Sequence, residues 1–302
     1  MAINKIPLMA GAVAEKWAKE ALVPKPTAFG TVFRYSGALG CTRRAAYDWF
    51  EAEYTEKPTP GRVVQAGVGT IFGEAQANAQ IEKFGGRAEV PSQLNEFLSG
   101  SADWFGWLDE YEGFVVYENK LKSSFAFNMA VGVQRNFGKA KRIEPKGAPI
   151  EALVQAGMNA LGIELTYALL PVNHIIVGVV TTEVLSVGMA ESIDADDYEI
   201  FCVEETFTRE EFEPLVKSEI DRLAIAYDVI TMGNLPPRWV ADTSLVEAHG
   251  VFDGFHNKEI EPEGSNWQCG YCPYRSLCVQ DGSGYVRITE SALIRRKTET
   301  EE

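Results

Sequence analysis

The sequence predicts an α/β fold in which helices flank a mixed central sheet. Short runs rich in Val, Ile, Thr and aromatic residues are interspersed with longer segments that carry apolar residues at helical spacing. The segment Ser101–Ser124 predicts two strands joined by an acidic turn. A hydrophobic content of 46% over 302 residues is ample for a globular core, and a charged content of 24% is ordinary.

The N-terminal part of the chain, up to about Phe84, is predicted to be mostly helical. One amphipathic helix is expected within residues 1–30, ending near Pro24, and a second from Ser36 to Glu53, for which Ser36 is a suitable start. A third helix opens at Gly67 and runs to about Phe84. The glycines at its start do not form a phosphate-binding loop, because no Gly-Lys-Ser/Thr sequence follows them.

The second half of the chain predicts both helices and strands. A helix is expected over Pro149–Gly162, and strands over Leu165–Leu170, His174–Leu185 and Tyr198–Glu204. Thr208 then starts a capping-box pattern and a helix that runs to about Gly233. Ahead of these elements, residues 137–146 form a local basic run, for which phosphate contact and an ordinary polar loop are both open interpretations.

Three side chains of the predicted hairpin suit metal-dependent chemistry. Glu118 and Lys120 point to one face of their strand, because side chains in a strand alternate between faces. The hairpin folds Asp103, expected at the end of the first strand, back beside them. Two carboxylates bind a hard cation such as Mg²⁺, and a nearby ammonium group positions or deprotonates one of its waters. The competing interpretation of Lys120 is a solvated surface residue.

The cysteines form a second pattern with metal-binding character. Cys269, Cys272 and Cys278 have the spacing C-x₂-C-P-x₄-C, which allows thiolates to converge on one centre. A metal site is more common than disulfides in an intracellular protein of this size. Cys41 is the better candidate for a fourth ligand, which requires its helix to lie beside the C-terminal segment. Cys202 falls inside a predicted strand and is interpreted as buried packing.

Both patterns resemble one nuclease superfamily. Asp103 followed by Glu118-x-Lys120 resembles the Asp…(Asp/Glu)-x-Lys motif of the PD-(D/E)XK nucleases, and residues 100–102 are similar to the small-residue lead-in of the RecB-like branch. One N-terminal and three C-terminal cysteines around such a core resemble the iron–sulfur exonucleases of this branch. These include the AddB nuclease domain and the fourth CRISPR-associated (Cas) family, of which bacteriophages carry stand-alone versions. The resemblance covers about Ser36 to Cys278.

The resemblance implies roles for particular residues. The catalytic group would be Asp103, Glu118, Lys120 and Gln155, with Lys120 activating water and Gln155 positioning the DNA strand. Mg²⁺ or Mn²⁺ would be held by Asp103, Glu118, the carbonyl oxygen of Asn119 and Glu74. Glu74 stands near the position of the family's metal-binding His, and Asn159 stands where the family often has Tyr. Four thiolates are compatible with zinc or iron, and the resemblance favours a [4Fe–4S] cluster held by Cys41, Cys269, Cys272 and Cys278.

The same resemblance implies the organisation and the activity of the chain. The sheet would be restriction-endonuclease-like, with a helical extension (1–35), a nuclease core (36–235) and an iron–sulfur lobe with an acidic tail (236–302), to which Cys41 contributes. The implied activity is a metal-dependent DNA exonuclease, acting 5′→3′ on single-stranded ends in DNA processing, recombination or spacer acquisition. The competing hypothesis is a non-catalytic iron–sulfur protein that binds DNA ends or a partner.

Charge and hydropathy limit the remaining classes. A formal net charge of −15 argues against broad non-specific nucleic-acid binding and against a zinc-finger regulator, but allows a nuclease with a local basic groove. No apolar run approaches the roughly 20 residues of a membrane span, and no signal-peptide pattern is present. We therefore expect a cytoplasmic protein, in a prokaryotic cell or a phage-infected host. DNA is the expected partner, with recombination or CRISPR-adaptation proteins or further copies of the chain in addition.

Overall fold

A computed structural model of the chain describes residues 29–56, 60–122, 127–128, 130–136, 139–142, 145–168, 171–181, 202–237, 269, 272–282 and 284–289. Its strands are β1 (Phe33–Arg34), β2 (Arg87–Asn95), β3 (Leu98–Leu108), β4 (Gly113–Lys122), β5 (Val133–Asn136), β6 (Lys139–Arg142), β7 (His174–Thr181), β8 (Cys202–Thr208), β9 (Asn234–Leu235) and β10 (Val286–Arg287). Its helices are α1 (Thr42–Trp49), α2 (Pro60–Phe84), α3 (Ile150–Tyr167), α4 (Arg209–Thr231) and α5 (Arg275–Gln280).

The central sheet has strands of both directions, which confirms the predicted α/β class. Its order is β1-β3-β4-β7-β8, with β2 also paired to β3. β3 and β4 are antiparallel, β4 and β7 are parallel, and β7 and β8 are antiparallel again. A parallel pair needs a crossover connection, and α3 lies in the connection between β4 and β7. This helix packs against β2, β3, β4 and β7, and so lies over the strands that carry Asp103 and Glu118.

The crossover helix α3 is longer than the sequence predicts. It continues past Gly162 to Tyr167 and ends where Ala168 adopts a left-handed backbone with φ of 49°. The strand predicted over Leu165–Leu170 is therefore wrong at 165–167, and residues 169–170 lie outside the described ranges. Each residue added to an existing helix gains a backbone hydrogen bond, and the 66% exposed Leu165 is not needed in the core.

The hairpin of β3 and β4 confirms the predicted pair of strands and its acidic turn. The turn contains a 3₁₀ segment, Asp109–Tyr111, followed by Glu112 with a left-handed φ of 46°. β3 continues past Asp103 as far as Leu108, which pairs with Gly113. Asp103 consequently lies in the middle of β3, and its predicted position at the end of the strand is wrong. The aromatic residues after Asp103 continue the strand, because aromatic side chains suit a half-buried sheet surface.

Two helices begin elsewhere than predicted. The helix expected over Ser36–Glu53 is divided into a 3₁₀ turn, Tyr35–Gly37, and α1. The division falls where Leu39 takes a left-handed φ of 56°, which cannot continue a right-handed helix. α2 begins at Pro60 rather than Gly67, consistent with the preference for proline in a first helical turn. The amphipathic helix predicted within residues 1–30 falls almost entirely outside the described residues.

The later predicted elements are described in part. β7 confirms the first part of the strand predicted over His174–Leu185, and β8 shares Cys202–Glu204 with the strand predicted from Tyr198. The remaining residues of both predictions lie outside the described ranges. α4 begins with the predicted capping box, in which Thr208 and Glu211 are bonded reciprocally. Part of the basic run forms β6, which pairs with β5. None of the helices in the described ranges combines the length and hydropathy that a membrane span requires.

The segment that follows Cys269 packs against α1. The hydroxyl of Tyr274 donates to Asp48 Oδ1 at 2.6 Å. The fully buried guanidinium group of Arg43 donates to the carbonyl oxygens of Gly282, at 2.5 Å, and Gly284, at 3.0 Å. These bonds hold residues close to Cys41 against residues close to Cys278, although the two parts of the chain are far apart in sequence.

Candidate active site

Asp103 and Glu118 oppose one another across β3 and β4. The adjacent pair Trp104–Tyr117 sets the register, which places both carboxylates on one face of the sheet. The backbone N–H of Asn119 donates to Asp103 Oδ2 at 2.7 Å. This bond fixes the carboxylate of Asp103 against the strand that carries Glu118.

Lys120 connects this face of the sheet to the crossover helix. Its Nζ donates to Glu118 Oε1 at 2.6 Å and to Gln155 Oε1 at 2.9 Å. Lys120 shares a strand face with Glu118 by alternation, whereas Gln155 projects from α3, which packs on β4. The structure therefore brings together Asp103, Glu118, Lys120 and Gln155, which we call the carboxylate site.

Glu118 is buried with an incomplete set of hydrogen bonds. Its side chain is 1% exposed, and its Oε2 has no hydrogen-bond partner among the described residues. Burial raises the pKa of Glu118 to about 8; the charge of Asp103 adds to this effect and Lys120 opposes it. Burial also raises the pKa of Asp103, although the hydrogen bond from the N–H of Asn119 acts to lower it. Burial thus favours the uncharged form of both carboxyl groups, and a bound cation would favour the charged form.

Two asparagines near the site have different surroundings. The side-chain amide of Asn119 lies 3.4 Å from that of Gln80 on α2, on the opposite sheet face from Asp103. Only the backbone of Asn119 belongs to the site, and its carbonyl oxygen as a cation ligand stays a prediction. Asn159, one helical turn after Gln155, is fully buried, and its side-chain amide has no hydrogen-bond partner among the described residues.

Glu74 is exposed on α2, and the structure adds a second glutamate that the sequence analysis missed. Glu89 of β2 lies between Ala88, which pairs with Trp104, and Val90, which pairs with Ala102, and so is expected to oppose Asp103 of β3. Partial desolvation raises the pKa of Glu89, and the charges of Asp103 and Glu74 raise it further. β2 was not among the predicted strands. The alternation of charged and apolar residues over 87–90, after two glycines, is the signal that indicates it.

Aromatic side chains continue the face of the carboxylate site towards the hairpin turn. Phe105 and Trp107 follow Asp103 at alternate positions of β3, so all three share one face. Phe114 of β4 stacks on Phe105 with 5.2 Å between ring centroids, and its ring meets Trp107 edge to face at 5.5 Å. Trp107 is 47% exposed. An accessible indole therefore lies on the same face as the two carboxylates.

The four cysteines of the predicted cluster, Cys41, Cys269, Cys272 and Cys278, form what we call the cysteine region. Cys41 occupies the position just before α1, and Cys278 belongs to α5. Burial raises the pKa of Cys272 to about 11, and charge interactions with Cys41 and Cys278 contribute. The N–H of Cys272 donates to the carbonyl of Cys269 at 3.2 Å. Cys202 lies apart from them on β8.

No three or more His, Cys, Asp or Glu side chains of the described residues are grouped as a metal-ligand set.

Comparison with protein-family models gives no match, and comparison with curated proteins gives none. Among solved structures, the chain is similar to one titled "Crystal structure of SSO0001". The TM-score is 0.46 at 15% sequence identity, over 90% of this chain and 96% of that one.

Proposed function

We propose that the protein is a metal-dependent DNA exonuclease of the PD-(D/E)XK type. The observation that carries this proposal is the arrangement of Asp103, Glu118 and Lys120 on one sheet face, with Lys120 bonded to both Glu118 and Gln155. Two adjacent carboxylates and an aligned ammonium group are what cation-assisted hydrolysis of a phosphodiester requires.

The carboxylate site fits a divalent cation with oxygen ligands. Glu118 Oε2 is buried and accepts no hydrogen bond from the described residues, and Asp103 lies beside it. Mg²⁺ and Mn²⁺ prefer oxygen ligands and keep several waters. Asp103, Glu118 and the carbonyl oxygen of Asn119 would hold the cation. When bound, it would offset the negative charge that develops on the phosphate oxygens during hydrolysis.

Lys120 would orient the attacking water. Two of the three N–H bonds of its ammonium group are used by Glu118 and Gln155, which leaves one for water or a phosphate oxygen. The water oxygen bonds to phosphorus as the phosphorus–oxygen bond to the departing sugar breaks. The water loses a proton to the medium, and the departing oxygen gains one. Gln155 acts as a positioning residue, because it touches Lys120 through its Oε1.

The exposed face beside the carboxylates suits a single strand. Bases in a duplex are already stacked on one another, whereas an unpaired base is free to stack on the accessible ring of Trp107. This indole shares its sheet face with Asp103. We therefore propose single-stranded ends as substrate, with 5′→3′ polarity by family resemblance alone.

We further propose that the cysteine region holds a [4Fe–4S] cluster, with zinc as the competing assignment. The fit rests on the contact that holds α1, which begins beside Cys41, against the segment that contains Cys272 and Cys278. Four thiolates would complete such a cluster. The cluster would be structural, within the lobe proposed for residues 236–302. We propose the cytoplasm as the location, and DNA processing, recombination or spacer acquisition as the process.

End-labelled DNA tests the activity directly. Single- and double-stranded oligonucleotides, labelled at either end, are incubated with the protein and Mn²⁺, Mg²⁺ or EDTA. We expect shortening of single strands with either metal and none with EDTA, and an Asp103→Asn protein should be inactive. DNA that is bound but left intact under all metal conditions would instead support the non-catalytic hypothesis.

A further inference from the structure

Glu89 is placed beside the carboxylate site by strand pairing. Val90 of β2 pairs with Ala102 of β3, so the preceding Glu89 opposes Asp103. Side chains at opposing positions of antiparallel strands have Cβ atoms about 4.5–5.5 Å apart. Asp103 in turn opposes Glu118. Three adjacent strands therefore present one carboxylate each along a single row.

The backbone of Glu89 is unusual for a residue inside a strand. Its φ is 49°, in the left-handed region, where a side chain with a Cβ atom is disfavoured. The other residues of the described chain that share this conformation and are not glycine lie in turns or at helix ends: Leu39, Glu51, Glu112 and Ala168. Backbone strain of this kind persists where the surroundings fix it, and it is concentrated at functional sites.

The charges of the row match a divalent cation. Of the three carboxyl groups, Glu118 is paired with the ammonium group of Lys120, whereas Glu89 and Asp103 form no ion pair among the described residues. Glu118 Oε2 is buried without a hydrogen-bond partner among the described residues and lies next to Asp103. Among the described residues the three groups are not gathered into a ligand set, so binding of a cation by all three would require their side chains to converge.

We propose that Glu89 is a ligand of the divalent cation held by Asp103 and Glu118, in place of Glu74. Both glutamates are exposed, but Glu89 lies on the strand next to that of Asp103, whereas Glu74 comes from a helix. The assignment rests on the cation site of the proposed function. It makes β2, β3 and β4 the source of one carboxylate each.

Mn²⁺ binding tests the assignment without any measurement of cleavage. The full chain is titrated with Mn²⁺, and free Mn²⁺ is followed by electron paramagnetic resonance. Glu89→Gln should raise the dissociation constant for Mn²⁺ by at least about 10-fold, because one charged ligand is lost. Glu74→Gln should leave the constant unchanged. Glu112→Gln is the matched control, since Glu112 has the same left-handed backbone in the hairpin turn.

A second pair of variants separates ligation from folding. Glu89→Gly and Glu112→Gly should each raise the melting temperature of the metal-free protein by about 2–4 °C, because glycine relieves the left-handed backbone. Only Glu89→Gly should also weaken Mn²⁺ binding.

Three outcomes would overturn the proposal. An unchanged Mn²⁺ affinity in Glu89→Gln refutes the assignment of Glu89 and leaves the proposed nuclease intact. Loss of Mn²⁺ in Glu74→Gln but not in Glu89→Gln moves the ligand to Glu74. Failure of the unsubstituted protein to bind Mn²⁺ removes the cation site itself, and the proposed function with it.

Discussion

The carboxylate site and the cysteine region are assembled by different kinds of contact. Asp103 and Glu118 are placed by backbone register between neighbouring strands, a short distance apart in sequence. The cysteine region depends on side chains that join remote segments, such as Tyr274 to Asp48, 226 residues apart. Backbone register survives a change of side chain, whereas a side-chain contact does not. Substitutions in the first region should therefore affect chemistry, and those in the second should affect folding.

The largest effect is expected at Lys120, and it should be chemical. Lys120→Met should lower the rate of single-strand cleavage by about 10²–10⁴-fold, because the group that orients the water is lost. Lys122→Met is the matched control: Lys122 lies two residues along the same strand face and pairs with Glu151 at 3.7 Å. Cleavage rates and melting temperatures of both variants provide the measurement. Wild-type cleavage by a folded Lys120→Met protein would exclude the proposed mechanism.

The next effect, in the cysteine region, should be on metal content and stability together. Cys41→Ser should remove iron and inorganic sulfide as completely as Cys272→Ser, and should lower the free energy of unfolding by a few kcal/mol, since metal-binding energy at such a site is folding energy. Cys202→Ser on β8 is the control and should retain both elements. Protein purified without oxygen is assayed for iron, sulfide and zinc. One bound zinc and no iron would contradict the cluster while leaving the nuclease proposal open.

The third effect is a pH dependence of stability that originates in the carboxylate site. The pKa of Glu118 is raised to about 8 from an ordinary 4.5, so between these values the folded protein retains a proton that the unfolded chain releases. The stability of the metal-free protein should therefore be greatest below pH 4.5 as far as Glu118 is concerned, and fall as pH rises towards 8. The slope is at most about 1.4 kcal/mol per pH unit.

Glu118→Gln tests the origin of that slope, because glutamine resembles the protonated carboxyl and does not titrate. Urea unfolding of the metal-free protein at pH 5, 6, 7 and 8 should show a smaller decline in the variant than in the unsubstituted protein. Equal declines in the two proteins would show that Glu118 is not the group responsible.

The smallest effect is expected at Trp107. Trp107→Ala should raise the dissociation constant for a single-stranded oligonucleotide by about tenfold in the presence of Ca²⁺, because one stacking surface is lost. Trp49→Ala is the control, since Trp49 is similarly exposed at the end of α1. Fluorescence anisotropy of a labelled oligonucleotide gives the constants. Equal losses in both variants would show that Trp107 makes no particular contact with DNA.

The part of the site that could be predicted is the part set by local geometry. Glu118 and Lys120 share a face because strand side chains alternate, and this holds wherever the strand lies. The hairpin alone brings Glu118 and Lys120 to the same sheet face as Asp103. Glu89 could not be found in the same way, because its place beside Asp103 depends on how β2 pairs with β3.

The fold shows the same limit. The pattern of apolar residues after Gly162 fits a strand or a helix equally well. In the structure these residues extend α3 to Tyr167, and this helix packs on the sheet. The spacing of Cys269, Cys272 and Cys278 indicates a metal site. That spacing gives no indication of the hydrogen bonds by which Arg43 holds α1 against the segment after Cys269. Side-chain bonds between remote segments leave no periodic trace in a sequence.

The buried position of Arg43 also has a consequence for synthesis of the chain. Its acceptor Gly282 lies 239 residues later, so the guanidinium group is made long before the carbonyl oxygen that it binds. At translation rates of about 5–20 residues per second, the interval is about 12–48 s. The hairpin of Asp103 and Glu118 is complete well within that time. Both strands that carry the paired carboxylates are therefore synthesised long before the residues that enclose Arg43.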